Sequence, residues 1–73
     1  MSTQMVVEVD GQKLRRLRKQ RLWLIGDLAE KSGVHRNIIS KLETGKGGAY
    51  PETIRKLAEA LGVDARELVK TEE

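Results

Sequence analysis

Cysteine and phenylalanine are absent from these 73 residues, and histidine, proline, tryptophan and tyrosine occur once each. Without cysteine there is no disulfide framework and no thiolate metal site, a usage that a reducing cytosol permits. One histidine cannot build a metal site by itself, so neither a metal nor a cofactor is expected. The longest apolar run, Leu22-Trp23-Leu24-Ile25, is far too short for a bilayer, and the first residues lack the apolar stretch of a secretory signal. These shortages predict a soluble cytoplasmic protein with no membrane segment and no evident small-molecule ligand.

With aromatics at 3 %, burial has to come from Leu, Val, Ile and Ala. That composition suits packed helices better than a sandwich of short strands. A chain of this length makes one domain and buries only about 60 to 65 % of the surface its unfolded form exposes. The net charge is +3, but its distribution is uneven: ten Lys or Arg lie between Lys13 and Lys46 against the three acids Asp27, Glu30 and Glu43. The basic half suits a polyanionic partner. A mixed, solvated surface is the alternative reading of the same charges.

Apolar periodicity predicts an all-α chain of five short helices preceded by an arm or short strand over residues 1–10. Val7 and Val9 alternate with Glu8 in that arm. Asp10 is placed to cap a first helix, 11–21, with Leu14 and Leu17 inward. A second helix over 25–31 turns Leu28 and Ala29 inward and closes at Ser32-Gly33, since glycine accepts the left-handed conformation that stops a helix. Val34, Ile38, Ile39 and Leu42 form the stripe of a third helix, 36–44, stopped by Gly45. The glycine-rich stretch 45–49 is expected to be mobile. Pro51 suits the first position of a fourth helix, which buries Ile54, Leu57, Ala58 and Leu61 and ends at Gly62. Asp64 and Glu67 resemble a capping box for a fifth helix over 65–71, leaving 72–73 as a tail.

The informative stretch is 25–44. Two short helices joined by three or four residues containing glycine form the helix-turn-helix signature. Ala29 stands where those helices cross closely, and Gly33 supplies the turn. Ile39 and Leu42 must pack back on Leu28, which leaves Arg36, Asn37, Ser40, Lys41 and Thr44 on the opposite face.

Four segments, Leu14-Arg15-Arg16-Leu17-Arg18, 28–34, 39–46 and 53–63, give the chain its likeness to a known family. It resembles the Cro and phage-repressor type of helix-turn-helix regulator, also called the xenobiotic-response-element type, over nearly all of 14–68. The resemblance implies a compact five-helix bundle of the lambda-repressor-like kind. It also implies a prokaryotic transcriptional regulator, more often a repressor, that binds double-stranded DNA as a homodimer on a palindromic operator. Carried over by position, His35, Arg36, Asn37, Ser40 and Lys41 would meet base edges in the major groove. Thr44, Lys46 and Gly47 in the following loop, with Lys31, would meet the DNA backbone. Arg18 and Glu43 occupy the positions of a structural ion pair. The chain departs from the family at Leu24-Ile25, where relatives carry a Ser-Gln pair that caps the second helix and touches phosphate.

Several residues keep two readings. His35 is a helix cap or a base contact, and Trp23 a core or hinge residue or a stacking platform. Arg18 is an ion-pair member or a DNA contact, and the basic face of the first helix is solvation or long-range attraction. The dimer surface is either Val6 to Val9, pairing through an exposed strand edge, or the fifth helix. No catalytic arrangement surrounds His35, and the stretch 45–48 lacks the preceding strand and spacing of a phosphate-binding loop, so no enzyme is expected. The rival is a protein-interaction module, antitoxin-like or a sensor or sigma-factor partner, docking through the apolar Leu24-Ile25 pair.

Overall fold

The computed structural model describes residues 5–70. In chain order these form β1 (Val7–Glu8), α1 (Gly11–Gln20), α2 (Ile25–Ser32), α3 (Arg36–Glu43), β2 (Gly48–Ala49), α4 (Pro51–Leu61) and a 3₁₀ turn over Ala65–Leu68. The expected end of the fifth helix at Thr71 and the 72–73 tail lie outside the described residues.

Local signals mark most of the helix ends. The Asp10 carboxylate accepts the Lys13 N–H at 3.2 Å and starts α1. His35 Nδ1 accepts the Asn37 N–H at 3.1 Å and starts α3. Leu24, at the N-cap of α2, has no side-chain acceptor; Asp27 restores half of a capping box by accepting the Leu24 N–H at 2.8 Å. Helices α3 and α4 end in paired 6→1 and 5→2 hydrogen bonds around a left-handed glycine, Gly45 and Gly62. The same pattern ends α1, through Leu22 N–H to Lys19 O and Trp23 N–H to Arg18 O. There the left-handed residue is Leu22, at φ 60°.

The core draws on every helix. Leu14, Leu28, Ile39, Leu42, Leu57 and Leu68 are its largest fully buried side chains. Burying each contributes about 1.5 to 3 kcal/mol. Helix α2 packs on both α3 and α4, and α1 packs on α3 and the 3₁₀ turn. Helix α3 is therefore held from two sides.

Three expectations need correction. The described residues hold four α-helices, and the five-helix arrangement is not reached: after one 3₁₀ turn the chain becomes extended at Val69, which pairs antiparallel with Val9. Backbone pairing to the N-terminal segment, through Asp10 N–H to Leu68 O and Lys70 N–H to Glu8 O, replaces further helix. The glycine-rich stretch is also partly regular, since β2 pairs antiparallel with β1, Val7 opposite Ala49 and Glu8 opposite Gly48. Finally, both edges of β1 are occupied within the chain among the described residues. One edge faces β2 and the other faces 68–70.

Candidate nucleic-acid interface

Ile39 and Leu42 are 0 % and 2 % exposed and turn one side of α3 into the core. Helical geometry then fixes the rest, because 36, 37, 40, 41 and 44 fall on the far side of a cylinder turning 100° per residue. Arg36, Asn37, Ser40, Lys41 and Thr44 are all exposed. The side chains of Arg36, Asn37, Ser40 and Lys41 make no hydrogen bond or ion pair among the described residues. Their donors and acceptors are free for an outside ligand. Ile38 sits at the margin of this face, 42 % exposed.

His35 stands at the leading end of the same face. Its Nδ1 is engaged as the α3 cap, which leaves Nε2 as the ring atom free to meet a ligand.

The loop after α3 offers fewer donors than its glycine content suggests. Gly45 N–H bonds Leu42 O at 3.1 Å and Lys46 N–H bonds Lys41 O at 3.0 Å. Thr44 uses its N–H on Ser40 O and its hydroxyl on Lys41 O. Among the described residues, Gly47 N–H and the Lys46 ammonium remain without a partner. The Lys31 ammonium stands 5.1 Å from the centre of the Trp23 ring. Arg21 approaches that ring too, at 5.9 Å. Trp23 is half-buried and packs against the core.

Arg18 and Glu43 are joined by two bonds, Nε to Oε2 at 2.7 Å and Nη2 to Oε1 at 2.9 Å, with side chains only 8 % and 5 % exposed. The hydrogen bond it donates to Glu43 holds the Arg18 guanidinium charged even more firmly than usual, against the opposing effect of burial. Its third arm, Nη1, donates to Trp23 O at 2.7 Å. A single buried side chain thus connects α1, the end of α3 and the residue preceding the α2 cap.

Residues 14–68 match a family model described as helix-turn-helix. The chain belongs to the helix-turn-helix family, of the Cro/C1 type. It is 47 % identical over 58 residues to the HTH-type transcriptional repressor RghR of Bacillus subtilis (strain 168), a match covering 78 % of this chain. The domain spans only 43 % of that relative's length. Its fold is similar to that of the restriction-modification controller protein C.AhdI from Aeromonas hydrophila, at TM-score 0.74 and 37 % identity over 78 % of this chain and 86 % of that one. It is also similar to SinR, the master regulator for biofilm formation, solved in complex with DNA, at TM-score 0.73 and 26 % identity over 77 % and 90 % of the two chains.

Sequence reasoning missed three contributors to this helix-turn-helix domain. Arg21 is one of ten basic residues between Lys13 and Lys46, yet it donates to Leu17 O and Leu61 O and so ties the ends of α1 and α4 together. Gly11 carries no signal of its own in the sequence, yet a Cβ there would stand 2.0 Å from Leu42 O, so α1 can approach the end of α3 only with glycine. Gly48 is its counterpart at β2, where a Cβ would stand 2.2 Å from Val7 O. Asp27 did carry a legible signal, an acid at the third position of α2.

Proposed function

We infer that this domain binds double-stranded DNA sequence-specifically and acts in transcription regulation, as a repressor, with α3 lying in the major groove. The observation that carries the reading is the two-sidedness of α3: one side locked by Ile39, Leu42 and the Arg18–Glu43 pair, the other a row of unpartnered polar side chains. Arg36 and Lys41 suit guanine O6 and N7, and Asn37 suits the N6 and N7 of adenine. Ser40 and His35 Nε2 complete the base-reading set. Lys46 and the Gly47 amide grip the DNA backbone beyond the end of α3. Thr44, whose donors are engaged, contributes by shaping that loop, and Lys31 reaches phosphate only by leaving Trp23. The domain works on a palindromic operator as a homodimer in the cytoplasm, with no catalytic role and no cofactor.

The test is selection of bound duplexes from a random pool at near-physiological salt, with the unaltered domain and with Arg36→Ala. A palindromic consensus that loses preference at one base position in the variant, with affinity lower by about 1 to 3 kcal/mol, supports the reading. Recovery of no preferred duplex by the unaltered domain overturns it. A second reading, a protein-interaction module, is favoured by Leu22 and Leu24, exposed at 91 % and 73 % on one corner. It would prevail if Arg36→Ala left DNA affinity unchanged while Leu24→Ser abolished a protein partner.

A further inference from the structure

Residues 7–11 touch both ends of the loop that follows α3. At one end the backbone of Gly11 lies against the carbonyl of Leu42, and at the other Val7 and Glu8 pair with Ala49 and Gly48. Both approaches are too close to admit a side chain, 2.0 Å and 2.2 Å from a notional Cβ to a backbone oxygen. The segment is itself anchored. Val9 is 5 % exposed in the core, Asp10 N–H bonds Leu68 O at 2.8 Å and Lys70 N–H bonds Glu8 O at 3.0 Å.

The loop between these two clamps carries Lys46 and Gly47 and contains glycine at 45, 47 and 48. Two of them, Gly45 and Gly47, stand at φ 78° and 87°. Such a stretch has unusually many accessible backbone states when free, and a ligand would have to order it on binding. Pairing of β2 with the N-terminal strand fixes it beforehand. Val6, just before that strand, lines the same 330 Å³ hollow as Lys41, Lys46 and Gly47. The segment leading into the strand therefore borders the same hollow as the loop.

We propose that the N-terminal strand is a positioning element for the grip on the DNA backbone, with Gly48 and Val7 as the residues that preset the loop presenting Lys46 and the Gly47 amide. The inference rests on the reading that this loop contacts phosphate. It concerns affinity for any duplex and leaves base preference to α3.

The test compares Gly48→Ala, Lys46→Ala and the double variant in the full chain, by fluorescence anisotropy on the selected duplex and a scrambled one across a salt series. Gly48→Ala is expected to weaken both duplexes alike, about ten-fold, and to reduce the salt slope by about one, the loss of a single phosphate contact. The double variant should lose no further slope, since both changes remove the same contact. If Lys46→Ala lowers the slope and a folded Gly48→Ala keeps both slope and affinity, the positioning role is overturned while the loop reading stands. If Lys46→Ala leaves the slope unchanged, the loop reading itself fails. Should circular dichroism show Gly48→Ala unfolded, Val7→Pro carries the same test, because proline interrupts strand pairing and leaves the loop sequence intact. A folded Val7→Pro with full slope overturns the proposal.

Discussion

The corner that ends α1 and the corner that ends α3 are built on the same backbone pattern and filled with opposite residues. Both carry the 6→1 and 5→2 hydrogen bonds around one left-handed residue. At the α3 corner that residue is Gly45, which accepts the conformation freely; at the α1 corner it is Leu22, with its side chain 91 % exposed. The backbone motif is thus not set by the residue at its centre alone. At the α1 corner, contacts made by its neighbours hold it: Arg18 binds Trp23 O, and Arg21 binds Leu17 O and Leu61 O. A glycine shapes one corner; arginine side chains, one of them reaching across to α4, hold the other.

The most severe way to break this comparison is to remove the side chain that serves both corners. Arg18→Met is expected to cost about 3 to 5 kcal/mol in a denaturant titration, because Glu43 stays buried without its partner. Adding Glu43→Leu should recover most of that loss, since two apolar side chains of similar volume need no partner. A single variant as stable as the parent would mean that neither corner depends on the guanidinium.

A smaller perturbation tests the α3 corner alone. Nothing lies within 4 Å of a Cβ at Gly45, so Gly45→Ala meets no clash and measures backbone strain only. The left-handed conformation should cost about 1 to 2 kcal/mol, read as a melting temperature lower by about 4 to 8 °C for each kcal/mol. The mirror experiment is Leu22→Gly, expected to stabilise by about 0.5 to 1 kcal/mol, less than the strain relieved because glycine gains freedom in the unfolded chain. Equal and opposite effects of the two changes would show that the corners are energetically alike; a destabilised Leu22→Gly would show that the leucine makes a contact of its own.

The mildest test uses the third corner, after α4, as a reference. Asp64 accepts the Arg66 N–H at 2.8 Å and caps the 3₁₀ turn. The side-chain hydrogen bond from Arg66, helped by the backbone one, holds its carboxyl below the usual 3.8. A lowered folded value means the stabilisation is fully present above 3.8 and is lost as pH falls through the folded value. Acid titration followed by amide exchange should therefore loosen Ala65–Leu68 before the helices, and Asp64→Asn should remove most of that pH dependence.

Much of the candidate interface was legible in the sequence because a short helix leaves few choices. Once Ile39 and Leu42 point inward, Arg36, Asn37, Ser40 and Lys41 must point outward. The engagement of Thr44 was not legible, since whether a hydroxyl bonds its own helix or faces a ligand depends on how the helix ends. Lys31 was read from charge and position, and only the packing of Trp23 beside it showed where its ammonium rests. The Leu24 departure was visible, but Asp27's acceptance of the Leu24 N–H was not weighed with it.

By itself the sequence determined where helices begin, where three of the four end, and which of their faces are buried. Those outcomes follow from groups within a turn or two of each other: an Asp10 cap, a Gly33 or Gly62 stop, leucines recurring every three or four residues. Only the tertiary structure decided that the last segment stops after one 3₁₀ turn, that 48–49 becomes a strand, and that Gly11 and Gly48 must lack side chains. Each of these depends on a backbone partner some 30 to 60 residues away in sequence, Leu42 for Gly11, Val7 for Gly48 and Val9 for Val69. Backbone hydrogen bonds and close approaches of that range do not depend on side-chain pattern, and so they leave no periodic trace in the chain.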